Sequence, residues 1–129
     1  MKTILSKEQS RYLHKIGCDF PYSLAIQDDD GEYFIRVELE DLLNGRTIPR
    51  EFELDNSAVC LDIQMTNEIC SVSYKYISHG GCVAYYEAKE LIDALYLITC
   101  WYYEEIKNVK LWWRNLLLQL LLSRYHLLV

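Results

Sequence analysis

A histidine and a cysteine three residues apart are the side chains of this sequence best suited to chemistry. In His79-Gly80-Gly81-Cys82 the imidazole and the thiol could form half of a metal site, or act together as base and nucleophile. A structural zinc site needs four ligands, and no second pair along the chain has a compatible spacing. Catalysis would also need a third group to orient the histidine. The pattern therefore favours a glycine hairpin turn, and we predict no catalytic residue, no metal site and no cofactor.

Acidic residues form two groups that could bind cations or transfer protons. The run Asp28-Asp29-Asp30-Gly31 lacks the alternating acids and flanking helices of an EF-hand, so we favour a solvated hairpin tip. Carboxylates of the second group could act as acid and base if burial separated their pKa values. We favour a binding face for them, which would meet a basic partner or mimic nucleic acid. This group comprises Glu38, Glu40, Asp41, Glu51, Glu53 and Asp55.

Aromatic side chains are abundant, with 11 tyrosines, three tryptophans and three phenylalanines. Such side chains fill cores, stack on bases and supply rigid contacts at protein interfaces. One hypothesis is a pocket in which tyrosines stack on a nucleotide base and arginines hold a phosphate, although no Gly-rich phosphate loop is present. Its candidate ligand-binding residues are Arg36, Arg46, Arg50, Tyr74 and Tyr76.

The elements that must position these side chains follow from hydrophobic periodicity. A capping-box pattern, Ser6 with Gln9, begins a helix at 7–16 that Gly17 can end. Alternation predicts strands at 23–27, 33–39, 51–54, 59–66, 69–77 and 82–86, with the apolar odd positions of 59–65 on the buried face. A long amphipathic helix is predicted from Glu87 to Ile106. The predicted fold class is α+β, an antiparallel sheet of about five strands with the long helix packed on one sheet face.

The pattern of residues 109–129 predicts an apolar C-terminal helix with one narrow polar stripe. A helix that is apolar on nearly all sides must be buried on most of them. Three environments stay open: another copy or another protein, the chain's own domain, and a membrane surface with tryptophans and arginines at the interface. We favour the first. The candidate interface residues are Trp101, Trp112, Trp113, Leu117 and Leu121.

Length and charge restrict the class of protein further. A chain of 129 residues suits one α+β domain at 1–108 followed by the apolar helix. The net charge of −6 argues against duplex nucleic acid as a partner, because phosphates repel an acidic body. The first residues lack the apolar segment of a signal peptide, and no run is long enough to predict a spanning helix. Five cysteines without C-x-x-C spacing favour reduced thiols, so a cytoplasmic location is expected.

Several short motifs together resemble a known group of sequences. They are Ser6-Lys7-Glu8-Gln9, Gly17-Cys18-Asp19, Leu39-Glu40-Asp41-Leu42-Leu43, and Glu90-Leu91-Ile92-Asp93-Ala94-Leu95-Tyr96 with Cys100-Trp101. Over roughly residues 5–105 the chain resembles small uncharacterised proteins encoded by phages and mobile elements of anaerobic gut bacteria. The resemblance implies an accessory protein that is expressed inside a bacterial host. It implies no functional residues, and residues after Asn108 have no counterpart in it.

These observations predict a non-enzymatic protein-interaction module. We expect a homo-oligomeric accessory protein of a phage or mobile element that binds a host or phage protein. The alternative is a sponge protein that binds a small molecule or nucleotide.

Overall fold

Helices flank two consecutive runs of strands along the chain, in an α+β arrangement. A computed structural model of the protein describes residues 1–21, 23–108 and 116–122. The predicted α+β class is confirmed, whereas the number of sheets and the start of the long helix differ from prediction. The elements within residues 1–108 are, in chain order, α1 Lys7–Lys15, β1 Ala25–Gln27, β2 Tyr33–Ile35, α2 Leu39–Leu43, β3 Glu51–Leu54, β4 Ser57–Met65, β5 Cys70–Tyr76, β6 Cys82–Ala88, α3 Leu91–Trp101 and a π-helix Tyr102–Lys107.

Helix α1 begins and ends as its sequence predicts. The Ser6 hydroxyl accepts a hydrogen bond from the Gln9 N–H at 3.1 Å, and the Gln9 side chain accepts one from the Ser6 N–H at 3.0 Å. At the other end Gly17 has a φ of +109°, a region where a side chain would be strained. The Cys18 N–H then donates to the Leu13 carbonyl at 3.0 Å. Both predicted signals are therefore confirmed in the structure.

The strands form two antiparallel sheets, which corrects the prediction of one sheet of about five strands. Strands β1 and β2 pair only with each other, and β3, β4, β5 and β6 form the second sheet in that order. The two sheets separate because the chain after β2 pairs with the N-terminal segment instead. The Leu5 N–H donates to the Val37 carbonyl at 2.9 Å, and the Leu39 N–H donates to the Thr3 carbonyl at 2.8 Å.

The four-stranded sheet has one apolar face and one polar face, as the alternation in its sequence predicts. Cross-strand partners share a face, and the apolar row Leu61, Tyr74 and Ala84 crosses β4, β5 and β6. Burial of this face is complete at Tyr74 but decreases towards the end of β4. Ile63 is 37% exposed and Met65 is 56% exposed, so their predicted burial is wrong.

Helix α3 lies on the apolar face of the four-stranded sheet, against β5 and β6, and also contacts α1 and α2. Its fully buried positions include Ile92, Leu95 and Ile98. The helix begins at Leu91 rather than at Glu87, because Glu87 and Ala88 still pair with β5 in the sheet. Packing of the long helix on the sheet is confirmed.

The N-terminal segment and the π-helix close the other side of the core. The Lys2 ammonium pairs with Asp93 of α3 at 2.8 Å, and the Tyr12 hydroxyl bonds with Glu104 of the π-helix. The Asn108 side chain donates to the Ile16 carbonyl at 3.2 Å, which joins the ends of α1 and the π-helix. A continuous hydrophobic core results, with members from Leu5 to Tyr103.

Candidate functional site

Aromatic rings from four elements meet at the C-terminal end of α3. Tyr74 of β5 lies edge-on to Phe52 of β3, with ring centroids 5.0 Å apart. Trp101 and Tyr102 approach the same Tyr74 ring at 5.9 and 6.3 Å. Trp101, a predicted interface residue, is therefore half-buried in this aromatic cluster. The cluster joins the helix to two strands of the sheet.

Two buried tyrosine hydroxyls fix the loop that leads into β3. The Tyr74 hydroxyl donates to the Pro49 carbonyl at 2.7 Å, and the Tyr103 hydroxyl donates to the Thr47 carbonyl at 2.8 Å. Burial raises the pKa of both hydroxyls, so both stay neutral donors at physiological pH. Tyr74 is fully buried, so this predicted ligand-binding residue has no ring face open for stacking on a base.

The three arginines of the nucleotide hypothesis lie in different depressions of the surface. Arg36 lines one of 420 Å³ between β1 and α2 and pairs with Glu38 at 3.1 Å. Arg46 lines a small one of 40 Å³ beside Asp19, and Arg50 lines one of 310 Å³ beside α2. The structure therefore does not bring these side chains together. Tyr76, the remaining candidate, packs against the His79 ring at 4.9 Å.

The histidine and cysteine of the predicted hairpin turn form hydrogen bonds with backbone groups two residues further along the chain. The His79 Nδ1 accepts a hydrogen bond from the Gly81 N–H at 3.0 Å, and the Cys82 thiol donates to the Ala84 carbonyl at 3.3 Å. Glycine fits at position 81 because a Cβ there would lie 2.5 Å from the His79 ring. Across the described ranges, no group of three or more His, Cys, Asp or Glu side chains could hold a metal ion.

The five cysteines are free thiols; Cys18 is buried beside Tyr103, and Cys100 is half-buried beside Tyr96. Burial raises the pKa of Cys18 to about 12 and that of Cys100 to about 11. Because the thiolate is the nucleophile, these two thiols are inert at neutral pH. They act as small apolar residues, Cys18 within the core and Cys100 packed against it.

Asp28 joins α1 to the first hairpin. Its carboxylate accepts hydrogen bonds from the backbone N–H groups of Asp30 and Glu32 at 2.9 and 2.8 Å. It also pairs with Lys7 at 3.2 Å and Arg11 at 3.3 Å. The predicted hairpin turn is confirmed, but the Asp28 side chain is only 6% exposed and is not solvated. The sequence predicted the turn but not the two ion pairs, because both cations come from a separate helix.

Replacing Asp28 with Asn should lower the melting temperature by several degrees at pH 7. The Glu32 N–H, assisted by Lys7, holds the pKa of the Asp28 carboxyl below its ordinary value. A depressed pKa stabilises the fold above the unfolded-state pKa of about 4, and this contribution is lost as the pH falls through the folded-state value. The difference in melting temperature between parent and variant should therefore shrink in acid. Thermal denaturation at a series of pH values measures it.

Asp29→Asn is the matched control, because that side chain is exposed in the same turn. Equal melting temperatures for the two variants at every pH would contradict a stabilising role for the Asp28 charge.

The largest set of exposed apolar side chains lies in the C-terminal segment. Residues 116–122 are helical, and their sequence is six leucines and Gln119. The exposed fractions of five of these leucines lie between 52% and 62%; these are Leu117, Leu118, Leu120, Leu121 and Leu122. We name this segment the leucine helix. It includes the predicted interface residues Leu117 and Leu121, whereas Trp112 and Trp113 lie outside the described residues.

A second apolar surface lies between α2 and the exposed end of β4. The depression that Arg50 lines has a volume of 310 Å³. Leu42 and Ile48 are 1% exposed and belong to the core, whereas Ile63 is 37% exposed. We name this depression the α2–β4 groove; it is lined by Leu42, Leu43, Gly45, Ile48, Arg50, Leu61 and Ile63. Its only sequence signal was the apolar alternation of β4, which continues past Leu61.

Comparisons with known proteins give no match. No protein-family model, no curated protein and no solved structure matches this chain. Across the residues that the structure describes, no helix is both long and apolar enough to cross a membrane.

Proposed function

We propose that this protein is a non-enzymatic interaction module that forms homo-oligomers through its leucine helix. The observation that carries the proposal is the exposure of five leucines within residues 116–122, each more than half accessible. An apolar helix is stable in water only when most of its surface is covered. Contiguous exposed apolar surface of this kind is typical of protein interaction sites.

In the rest of the described structure, several side chains suited to chemistry have structural roles. The acidic side chains with the clearest contacts stabilise the fold: Asp28 holds the first hairpin, and Asp41 accepts a hydrogen bond from the Glu38 N–H at 2.8 Å before α2. The buried tyrosine hydroxyls donate to backbone carbonyls of a loop. The resemblance to phage and mobile-element proteins extends the proposal to a host or phage protein as a further partner, inside a bacterial host.

Charging the leucine helix should dissociate the oligomer. In the double variant Leu117→Asp/Leu121→Asp, each change removes a leucine that self-association would bury, and burial of a leucine is worth about 1.5–3 kcal/mol. We expect the dissociation constant to rise by at least about 100-fold, since each 1.4 kcal/mol is about tenfold. Sedimentation velocity of the full chain over a series of protein concentrations measures this change.

Gln119→Asp is the matched control, because it adds a charge to the same helix at a position that is already polar. Circular dichroism should show the same fold for parent and variants, since the substituted leucines are exposed. Equal sedimentation behaviour of the parent and the double variant would contradict the proposed function.

A further inference from the structure

We infer that the leucine helix of one copy docks in the α2–β4 groove of a second copy, and that the exchange is reciprocal. This inference rests on the proposed function, because it names the surface that receives the leucine helix. The docking surface and its occupant lie on the same polypeptide. A two-fold symmetric dimer therefore buries both surfaces twice, which is the usual arrangement in homodimers.

The α2–β4 groove has the form expected of a receptor for an apolar helix. Its floor is closed by the buried side chains of Leu42 and Ile48, and its rim is formed by half-buried Leu43 and Leu61 and by exposed Ile63. Ile63 pairs with the buried Val72 of β5, so it lies on the apolar face of the four-stranded sheet. This apolar face therefore extends beyond the part that the helices cover. Burial of this exposed apolar surface by a partner stabilises the complex.

The leucine helix has the spacing that a groove requires. Leu117 and Leu121 are four residues apart, as are Leu118 and Leu122, so each pair lies on one side of the helix. Recognition of a helix in a groove uses apolar anchors at this spacing. Gln119 is the single polar side chain of the segment, so the helix brings no charge into the groove.

The exposures point to a second copy as the occupant. The same structure leaves the α2–β4 groove open and leaves Leu117, Leu121 and their neighbours more than half exposed. The chain's own leucine helix therefore does not fill its own groove. Among the described residues that line the groove, Arg50 alone is charged, and its aliphatic stem can lie beside leucines while its guanidinium stays in water.

Charge complementarity between the main part of the chain and its C-terminal segment favours docking of the leucine helix in the groove of a second copy. All 19 acidic residues lie at or before Glu105. Four basic residues follow that position, with no acid among them; they are Lys107, Lys110, Arg114 and Arg124. The groove belongs to the acidic part of the sequence, and it shares α2 with the neighbouring depression that Glu40 and Asp41 line. A basic segment is attracted to an acidic surface and is held apart from a second basic segment, so contact between two leucine helices is disfavoured.

The test combines a groove variant with the leucine-helix variant, both in the full chain. Ile63→Asp places a charge in the groove and should weaken the dimer by at least about tenfold, because it removes an apolar contact. Ile63→Thr keeps the branched Cβ of a strand residue and should weaken the dimer less than Ile63→Asp does. This variant measures the loss of the apolar contact without placing a charge in the groove. Ile77→Asp is the matched control, since Ile77 is 55% exposed and lies outside the groove.

Mixing the variants gives the decisive result. Ile63→Asp has an intact leucine helix, and Leu117→Asp/Leu121→Asp has an intact groove. Each should dimerise more weakly alone than the parent does, and an equimolar mixture should form a heterodimer with one intact contact in preference to either homodimer, measured by native mass spectrometry after labelling one chain with ¹⁵N. Self-association of Ile63→Asp at parental strength, or failure of the mixture to associate, would overturn the inference. In the first case the proposed function survives if the leucine variant still self-associates more weakly than the parent, whereas a monomeric parent would contradict both the inference and the proposed function.

Discussion

Replacing Tyr74 with Ala should destabilise the protein by about 3–5 kcal/mol, the cost typical of removing a buried aromatic ring from a core. Tyr74 is fully buried, and its ring contacts those of Phe52, Trp101 and Tyr102. Its hydroxyl also holds the Pro49 carbonyl at 2.7 Å. A single truncation therefore removes contacts that join the sheet to the end of α3 and to the loop before β3. Urea denaturation at a fixed protein concentration measures the free energy of unfolding.

Tyr74→Phe separates the two contributions of this side chain. The phenylalanine keeps the ring contacts and leaves the Pro49 carbonyl without its donor, so we expect a loss of about 1 kcal/mol. A loss for Tyr74→Ala no greater than for Tyr74→Phe would show that the aromatic cluster does not hold the sheet and helix together.

Two leucines of α3 should differ strongly although they are two residues apart. Leu95 is fully buried against the rest of the core, and Leu97 is 38% exposed. Leu95→Ala should cost about 2–5 kcal/mol, because the transfer free energy is lost and a cavity remains. Leu97→Ala changes the same atoms in the same helix and should cost less than about 1 kcal/mol.

Both changes also alter helix propensity equally, so the difference between them reports burial alone. Unfolding free energies within about 0.5 kcal/mol of each other would contradict the described packing of α3 on the sheet.

Local signals in the sequence predicted local structure well. The capping box at Ser6 and Gln9 and the left-handed residue Gly17 act within a few residues, and the structure contains both. The alternation in β4 placed Val59 on the core face, although Ile63 and Met65 are exposed, and the predicted long helix is fully buried at Leu95 and Ile98. These signals are readable because each depends on neighbours in the chain.

Features that depend on distant pairing were missed. The two sheets separate because residues 3–5 pair with the chain near Val37, more than thirty positions away. Asp28 is buried by Lys7 and Arg11 of a separate helix. The π-helix at Tyr102–Lys107 shares its apolar pattern with an α-helix, so periodicity predicted only a continuous helix. None of these partners is visible from spacing alone.

The candidate site was partly predictable for the same reason. The excess of apolar residues in the C-terminal segment indicated an interface at Leu117 and Leu121, because composition alone shows that such a helix needs cover. The α2–β4 groove was not predicted, since its lining comes from α2, the loop before β3 and β4, which only the fold brings together. The ligand-binding hypothesis grouped Arg36, Arg46 and Arg50 by residue type, and the fold distributes them over separate depressions.

Native mass spectrometry of the unaltered full chain tests self-association most directly. The chain has a mass of 15.3 kDa, and we expect a species at twice this mass whose fraction rises with protein concentration and which carries no further adduct. A bare monomer at every concentration would contradict the account, because the exposed leucines would then have no partner of their own kind. A reproducible small adduct on a monomer would also contradict it and would support the sponge alternative.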